Sequence, residues 1–362
     1  MSTLGKQKGF VKKTLICILA VLVILAAGIG FVFRNEIKTT SSINKVDNHF
    51  YTVKYYGDYG FDEFLKVGAS NDAKLVEFVS KQILKGFSIK VKPPDLSCST
   101  FNAATPDGDY IFGRNFDYKA IDMLVYTKPE NGYKSISMVN LAFIDGYKDG
   151  GNILDALWNK ILVMSAPYLP LDGINEKGLA VGILQIFDKP TWQETGKVNI
   201  TSTTAIRMLL DKAATVDEAV TMLKKYDMHS SANSCYHYQI ADAAGNSVIV
   251  EYVDNEMHVL KPDGKYQAAT NFYLTPGKKF NFGNGQDRYQ ILMNSLKEKN
   301  GVMTTRDGMS LLEKARMHNV TLPKTGVICN TSWSAVYNNT HKCVDLAIDQ
   351  KYGKVYHYMV DK

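Results

Sequence analysis

The longest apolar run in the sequence lies close to its N-terminus. Residues 14–33, TLICILAVLVILAAGIGFVF, contain no charged side chain. Twenty residues at helical rise span about 30 Å, the thickness of a bilayer's hydrocarbon core. The run is preceded by the lysines Lys6, Lys8, Lys12 and Lys13. By the positive-inside rule they favour a cytoplasmic N-terminus. The pattern predicts a cytoplasmic tail over 1–13, a single-pass transmembrane helix over 14–33, and a remaining chain held outside the cytoplasm at the cell membrane.

A cleaved signal peptide is the alternative explanation of this run. The apolar region of a signal peptide is normally about 7–15 residues long and ends at a small-residue cleavage site. Small residues are present at 26–28, but the apolar run continues past them to Phe33. We therefore expect a retained anchor.

The pattern changes after the anchor. Residues 34–48 are mostly polar and predict a stalk. The Pro93-Pro94-Asp95 segment later breaks the pattern and marks a boundary just before Cys98. We expect residues 34–97 to form a stalk and a prosegment.

One helix is predicted inside this prosegment. Residues 72–85 carry apolar side chains at helical spacing, and Gly86 stands where a helix would end. Ser70 or Asn71 is placed to cap the first turn. An amphipathic helix of this kind needs a surface on which to bury its apolar stripe.

Strand and helix patterns alternate in the chain that follows. The predicted strands are 98–104, 109–116, 122–128, 134–143, 178–187, 235–242, 247–253, 256–261, 266–270, 326–337, 343–349 and 354–360. The predicted helices are 152–164, 203–213, 216–226, 287–298 and 306–317. Runs of strands at both ends with helices between them indicate an α+β fold with largely antiparallel sheets. We expect residues 98–362 to form one domain.

Composition and charge narrow the class of protein. Of the 362 residues, 45% are hydrophobic and 22% are charged, which is typical of a globular fold. The formal net charge is +6, but the four lysines before the apolar run carry four of those charges. Because the electrostatic footprint of nucleic-acid binding is missing, we expect no nucleic-acid partner.

The cysteines do not form an obvious disulfide framework. Cys17 lies in the predicted span. The strands at the C-terminal end predict a hairpin that turns near Asn338-Asn339-Thr340, in which Cys343 faces about Val336 and lies far from Cys329. We therefore predict no disulfide between these two thiols.

Several kinds of site are unsupported by the sequence. None of the seven histidines has a tight metal-ligand spacing such as HExxH. Neither a GxSxG elbow nor a Walker-type glycine loop is present. We expect no metal and no other cofactor. A papain-like pairing of a cysteine with a histidine stays open on spacing alone.

The segment that begins at Cys98, CSTFNAATPDGDYIFGRNFDY, is the strongest candidate for chemistry. Asp107-Gly108 predicts a turn between two strands, which brings Arg114 on the second strand close to Cys98 on the first. A cation beside a thiol stabilises the nucleophilic thiolate. The alternative is a buried cysteine with a structural pair of Arg114 and Asp117, and spacing by itself favours that alternative.

Longer motifs favour a catalytic role for Cys98 over a structural one. CSTFNA and GRNFD closely resemble the start of the mature chain in the choloylglycine hydrolase and penicillin V acylase family. Further segments resemble that family in the order it shows, namely LDGINEKGLAVGILQIF (171–187), DAAGNSVIVEY (242–252), ATNFYLTP (269–276), DRYQIL (287–292) and NTSWSAVYN (330–338). The resemblance covers essentially all of 98–362. It implies an N-terminal-nucleophile hydrolase with a four-layer αββα sandwich of two antiparallel sheets.

The resemblance also implies roles for individual residues. Cys98 matches the nucleophile, whose own α-amino group is the base once it is the first residue of the chain. Arg114 would lie by the thiolate, and Asp117 would hold the α-ammonium and the thiol. Asn271 matches the side-chain donor of the oxyanion hole, and Arg288 resembles a second active-site arginine. The alternatives are that Asn271 is only a turn residue and Arg288 an exposed helix residue.

Two departures from the family pattern stand out. Gln185 occupies the position at which bile-salt-cleaving members carry an asparagine, so the oxyanion contact or the substrate-binding acyl pocket must differ. In addition, 97 residues precede Cys98, and the residue before it is Ser97, where many self-processing relatives have glycine.

The sequence as a whole predicts a membrane-anchored cysteine amidohydrolase that cleaves a linear, non-peptide amide through a thioester on Cys98. The expected partner is a small amphipathic N-acyl compound: an N-acyl amino acid, an N-acyl lactone, a bile-salt conjugate or a penicillin. We also expect self-cleavage before Cys98, and a homo-oligomer is compatible with the sequence. Two alternatives stay open, a non-catalytic extracellular binding module of the same fold and an acyltransferase.

Overall fold

The computed structural model describes residues 30–86, 96–118, 121–143, 157–321 and 328–361, with the isolated positions 15, 16, 19, 20, 28, 89, 154 and 326. Within that part of the chain, no helix is long and apolar enough to cross a bilayer. The predicted tail, most of the predicted span 14–33 and the Pro93-Pro94-Asp95 segment lie outside the described residues.

Two large sheets form the centre of the fold. The strands of the nine-stranded sheet are β1 (Asn44–Asp47), β2 (Phe50–Lys54), β5 (Asp122–Thr127), β6 (Ser135–Asn140), β7 (Asp172–Asn175), β8 (Ala180–Ile186), β11 (Cys235–Ala241), β12 (Ser247–Val253) and β13 (Glu256–Leu260), in that spatial order. The strands of the six-stranded sheet, in spatial order, are β14 (Gln267–Ala269), β3 (Ser97–Ala104), β4 (Tyr110–Asp117), β19 (Thr331–Asn338), β20 (Cys343–Ile348) and β21 (Val355–Met359).

Neighbouring strands in both large sheets are antiparallel, except that β2 pairs with β5 in parallel. Three short pairs complete the strands of the described residues: β9 (Asn199–Thr201) with β10 (Asp227–His229), β15 (Asn271–Phe272) with β16 (Gly283–Asn284), and β17 (Val320–Thr321) with β18 (Ile328–Cys329).

Helices cover the outer faces of the sheets. Their bounds are α1 (Arg34–Ser41), α2 (Phe61–Val67), α3 (Asp72–Gln82), α4 (Leu157–Leu162), α5 (Ser202–Lys212), α6 (Val216–Leu223), α7 (Gln286–Glu298) and α8 (Thr305–Lys314). Helices α5 and α6 pack on the nine-stranded sheet, and α7 and α8 pack on the six-stranded sheet. The layers therefore run helix, sheet, sheet, helix, which confirms an α+β sandwich.

The two sheets approach each other closely at Gly182 on β8. A Cβ atom at this position would lie 3.2 Å from the ring of Phe112 and 3.4 Å from side-chain carbons of Arg114 and Thr100. Such contacts are tighter than a well-packed core usually shows, so a glycine here lets β4 carry large side chains on its inner face. Arg114 is one of them.

The polar segment that predicted a stalk is instead folded against the domain as α1 and β1. Its polar groups are used in hydrogen bonds rather than left to water. Thr39 is fully buried and its hydroxyl accepts the Tyr56 N–H at 2.9 Å. Asp47 accepts the Tyr356 hydroxyl at 2.7 Å and the Lys354 ammonium at 3.1 Å. Low hydrophobicity here reflects the edge position of β1 and not a solvated linker.

The rest of the upstream segment is also part of the fold. Asn71 caps α3 by accepting the Lys74 N–H at 2.9 Å, so the helix begins close to where the pattern placed it. The apolar side chains Leu75 and Val79 of α3 are buried in the main core. Tyr59 is also buried, and its hydroxyl lies 2.8 Å from each carboxylate oxygen of Asp211 on α5.

Two predicted details differ from the structure. In the C-terminal hairpin, Cys343 pairs with Asn338 and Val336 pairs with Asp345, so the connecting turn is shorter than the sequence suggested. The helix expected over 152–164 is described only in part. There α4 changes into a 3₁₀ segment over Val163–Tyr168, which contains Pro167 and therefore cannot continue an α-helix.

Replacing Tyr59 with phenylalanine should destabilise the fold. Tyr59→Phe removes a buried hydrogen bond to Asp211, while Arg207 still pairs with that carboxylate. We expect the free energy of unfolding to fall by about 1–3 kcal/mol in urea denaturation of the full chain. Tyr56→Phe, at a half-exposed ring of the same segment, is the matched control. Equal changes in the free energy of unfolding would show that the hydrogen bond from Tyr59 to α5 does not stabilise the fold.

Candidate active site

Cys98 is the second residue of β3 and is completely buried. It pairs with Phe116 across β3 and β4, and Arg114 pairs with Thr100. Arg114 is therefore the diagonal neighbour of Cys98 on the face that looks toward the other sheet. The hairpin turn at Asp107-Gly108 sets this register, since Gly108 adopts the positive φ of 88° that the turn requires.

Arg114 is held from the opposite sheet by a buried carboxylate. Its Nε donates to Asp172 on β7 at 3.2 Å. Asp172 in turn accepts the Trp333 indole N–H at 3.0 Å and the Tyr337 hydroxyl. The two terminal guanidinium nitrogens of Arg114 have no hydrogen-bond partner among the described residues. The guanidinium group is thus fixed in position through Nε, while its two terminal nitrogens remain able to donate.

The Cys98 thiol remains protonated in these surroundings. Burial raises the pKa of the thiol to about 11, although the Arg114 and Arg288 guanidinium groups lower it, and the Asp117 carboxylate raises it. A thiol with such a pKa is almost entirely neutral near pH 7. The two arginines by themselves do not make it a nucleophile, so a base has to remove its proton.

Arg288, near the start of α7, joins the segments around the backbone of Cys98. One terminal nitrogen donates to the Cys98 carbonyl oxygen at 2.8 Å and to Asp117 at 3.0 Å. The other donates to the Ser97 hydroxyl at 2.9 Å and to Asn271 Oδ1 at 2.8 Å. An arginine is suited to this position because its planar fork donates in several fixed directions at once.

Asn271 contacts the nitrogen of Cys98 directly. Its Oδ1 accepts the Cys98 backbone N–H at 2.8 Å, and its Nδ2 donates to the Gln185 carbonyl oxygen at 2.7 Å. The Gln185 side chain accepts the Leu96 N–H at 2.5 Å and donates to Ser234 at 2.8 Å. Gln185 and Asn271 thus contact the backbone on the two sides of Ser97, at Leu96 and at Cys98.

The residues predicted from the sequence therefore meet at one place. Asp117 at the end of β4 accepts hydrogen bonds from Arg288 at 3.0 Å and from Thr331 at 2.5 Å, and burial raises its pKa. The carboxylate is held on the Ser97 side of the cluster, since Ser97 and Asp117 are paired across the strands. Arg288 is not the exposed helix residue of the alternative interpretation, and Asn271 is completely buried.

Sequence reasoning missed Asp172 and Thr331. Asp172 lies in the LDGIN segment, where an acidic residue in an otherwise apolar strand was a signal of a buried partner for a cation. Nothing in the sequence distinguishes Thr331 from other strand threonines, because its contact with Asp117 depends on the pairing of β19 with β4.

An apolar pocket reaches Leu96, two residues before Cys98. Its volume is about 50 Å³, and its lining includes Leu96, Phe143, Leu171, Ile183 and Tyr236, together with Leu75, Val76 and Val79 of α3. The Phe143 and Phe116 rings have their centroids 6.3 Å apart, and Phe116 is the residue paired with Cys98. The described lining does not include Cys98 itself, and the upstream segment forms part of the pocket wall.

Comparison with known proteins agrees with this fold. Residues 98–281, half of the chain, match the family of linear amide C–N hydrolases, choloylglycine hydrolase family. A penicillin V acylase from Pectobacterium atrosepticum is 34% identical over 111 residues, which cover 28% of this chain and 29% of the relative. That match spans less than a third of the relative's length.

Solved structures show the same fold. A mutant of the conjugated bile acid hydrolase from Clostridium perfringens superposes with a TM-score of 0.53 at 15% identity, over 73% of this chain and 92% of that one. Penicillin V acylase from Agrobacterium tumefaciens gives a TM-score of 0.47 at 16% identity, over 73% and 87% of the two chains. With its sandwich of two sheets and its cysteine-centred cluster, this chain belongs to the choloylglycine hydrolase family of linear amide C–N hydrolases.

Removing the charge of Asp172 should strongly destabilise the protein. Asp172→Asn leaves the Arg114 cation buried without its counter-ion, which typically costs about 3–5 kcal/mol. The measurement is the free energy of unfolding of the full chain in urea. Glu77→Gln removes an acid from a solvent-exposed pair with Lys74 and should leave the midpoint unchanged. A loss in Asp172→Asn no greater than in this control would show that the buried pair does not stabilise the fold.

Proposed function

We propose that this protein is a membrane-anchored cysteine amidohydrolase that hydrolyses a linear, non-peptide amide through a thioester on Cys98. One observation carries the proposal. The thiol and the backbone nitrogen of the same residue lie in one buried cluster, with Arg114 on the thiol side and Asn271, Arg288 and Asp117 on the backbone side.

The group that removes the thiol proton can be inferred from the surroundings of Cys98. No histidine contacts Cys98 among the described residues, and the pKa of the thiol is raised to about 11. An α-amino group, with a pKa of about 7.7–8, is suited to take that proton near neutral pH. As long as Cys98 is joined to Ser97, its nitrogen is an amide and is not basic. The proposal therefore requires cleavage of the Ser97–Cys98 bond.

The chemistry of the proposed reaction then follows. The α-amine takes the thiol proton, and the thiolate, stabilised by Arg114, attacks the carbonyl carbon of the substrate. Asn271 Nδ2 uses one N–H on the Gln185 carbonyl oxygen, and its second N–H, with neighbouring N–H groups, stabilises the oxyanion. The C–N bond breaks as the leaving amine receives the proton from the α-ammonium group. A water molecule, deprotonated by the same α-amine, then hydrolyses the thioester to release the acid.

The apolar pocket supports a substrate with an acyl chain. The surface exposed in it is almost wholly apolar, and it reaches Leu96, two residues before Cys98, which favours an apolar acyl group on the substrate. We propose an N-acyl amino acid, an N-acyl lactone, a bile-salt conjugate or a penicillin as the substrate class. A membrane anchor over 14–33 would keep the enzyme near such amphipathic compounds.

Replacing the nucleophile should abolish activity. Cys98→Ala and Cys98→Ser remove the thiol that forms the acyl-enzyme, so release of the free acid from a panel of N-acyl amides should fall to background. The assay follows the liberated amine or acid by mass spectrometry.

The control variants are Cys235→Ala and Cys329→Ala, which remove the two other buried thiols of the described residues. They should keep most of the activity. Full activity in Cys98→Ala would refute the mechanism, while inactivity of all four variants would point to a folding defect.

Self-cleavage can be explained by the same thiol. Attack of the Cys98 thiol on the Ser97 carbonyl would transfer the acyl group from nitrogen to sulfur, and water would then hydrolyse the thioester. The products are a carboxyl group on Ser97 and a free amine and thiol on Cys98. Arg288 contacts both residues at this bond, through the Ser97 hydroxyl and the Cys98 carbonyl oxygen, and so helps to hold the bond in place.

The contacts of the upstream segment support a product of two associated chains. Strand β2 remains paired with β5. The Asp72 carboxylate accepts the Ala232 N–H at 2.8 Å, and the Ala69 N–H donates to Asn199 at 2.9 Å. Together with Tyr59 and Asp211, these bonds hold the segment on the catalytic domain without the peptide link at Cys98.

The purified wild-type protein should contain a fragment that begins Cys-Ser-Thr. N-terminal sequencing and intact mass should find this fragment co-purifying with the upstream chain under native conditions and separating from it in denaturant. Cys98→Ala should remain one chain, and Cys235→Ala should be cut like wild type. Full amidase activity in a preparation that is wholly uncut before Cys98 would show that the base is a group other than its α-amine.

A further inference from the structure

A second buried polar cluster lies behind the catalytic one. His237 on β11 and Glu251 on β12 are both completely buried. His237 Nδ1 lies 3.0 Å from Glu251 Oε1, and Nε2 lies 2.6 Å from the carbonyl oxygen of Thr270. Thr270 is the residue immediately before Asn271. Neither the family resemblance nor the mechanism above gives this cluster a role.

Hydrogen bonds join this pair to the neighbouring backbone. A carbonyl oxygen only accepts, so Nε2 carries a hydrogen atom. Glu251 also accepts the N–H of Leu274 at 2.9 Å, and both the N–H at 2.8 Å and the hydroxyl at 2.6 Å of Thr275. Burial opposes ionisation of Glu251, but these bonds and the one from His237 keep its pKa below the ordinary value. The Glu251 carboxylate thus lies between the His237 ring and the backbone of Leu274 and Thr275.

The pair of His237 and Glu251 holds both ends of one short segment. His237 fixes the carbonyl of Thr270, and Glu251 fixes the backbone of Leu274 and Thr275. Asn271 lies between these two anchor points, in β15. Its side chain must face Cys98 on one side and the Gln185 carbonyl on the other, at 2.8 and 2.7 Å. A displacement of the segment by 1 Å would break both contacts.

We propose that His237, oriented by Glu251, is a positioning residue that sets the placement of Asn271 through the carbonyl of Thr270. The inference deepens the proposed function and rests on it for the part that Asn271 plays in amide hydrolysis. A positioning role of this kind is needed because Asn271 lies on a two-residue strand with few ladder hydrogen bonds of its own.

Two isosteric substitutions separate the roles of the two ring nitrogens. In His237→Gln, the side-chain nitrogen takes a place close to Nε2 and can still donate to Thr270. In His237→Asn, it takes a place close to Nδ1, so it can reach Glu251 but not Thr270. Both variants lose the imidazole ring, and any cost of losing the ring is common to them.

The expected kinetic result is a difference in kcat between the two variants. His237→Asn should have a kcat about 10- to 100-fold below that of His237→Gln, with KM values within about threefold of each other, because misplacement of a catalytic group affects the transition state. Asn271→Ala sets the scale for complete loss of the donor. Equal kcat values for the two variants, or a wild-type kcat in His237→Asn, would overturn the inference.

Hydrogen exchange provides a readout that does not depend on activity. Mass spectrometry should find faster exchange over residues 270–275 in His237→Asn than in His237→Gln, with the remaining peptides alike. Equal exchange over this segment would overturn the inference. If the wild-type enzyme hydrolyses no linear amide, the proposed function fails, and the exchange comparison still decides whether His237 positions Asn271.

Discussion

The Cys98 thiol lies between two sheets, and there the neutral form is favoured even though two guanidinium groups are close by. Desolvation of a thiolate outweighs the attraction of Arg114 and Arg288 at this position. With a pKa of about 11, the thiol needs a base before it can act as a nucleophile. In the proposed mechanism its own nitrogen is that base, and Asn271 and Arg288 contact that nitrogen and the adjacent carbonyl oxygen.

Buried charged and polar pairs hold this arrangement together, although each costs desolvation energy. Arg114 with Asp172 and Arg288 with Asp117 join elements that are distant in sequence, and His237 with Glu251 joins the two strands of a hairpin. Hydrophobic packing alone is tolerant of small shifts, whereas a charged group in the core has few acceptable positions. In this protein the pairs fix the register of the segments around Cys98, and removing one partner of an ion pair leaves the other charge buried alone.

The sequence predicted local structure well and tertiary contacts poorly. The hairpin of β3 and β4, the helix at Asp72–Gln82 and most later elements follow from apolar spacing and turn residues. The family motifs led to Cys98, Arg114, Asp117, Asn271 and Arg288, which the structure brings into one cluster. By contrast, the polar segment before Phe50 predicted a stalk, because low hydrophobicity does not distinguish an edge strand with satisfied polar groups from a solvated linker.

Charged partners of the site were harder to predict. Asp172 and Arg114 meet across two sheets, and no local pattern reports such a contact. His237 and Glu251 could have been paired from the sequence, since a hairpin that turns near Gly245 places them one step beyond the Tyr238–Val250 pair. The histidines show no metal-ligand spacing, so that pattern predicts no role for them. A histidine opposite an acid in two paired strands is nevertheless a signal of a polar contact between the strands.

The parallel pairing of β2 with β5 has a consequence for how the domain is made. Without the upstream strands, β5 would be the edge of a seven-stranded sheet, with unpaired N–H and C=O groups. Exposed edges of this kind recruit strands from other molecules and lead to aggregation. Strand β2 covers that edge, and its residues Phe50, Tyr51 and Val53 are buried. A domain that kept the catalytic cluster but lost β2 would therefore expose a new surface for association.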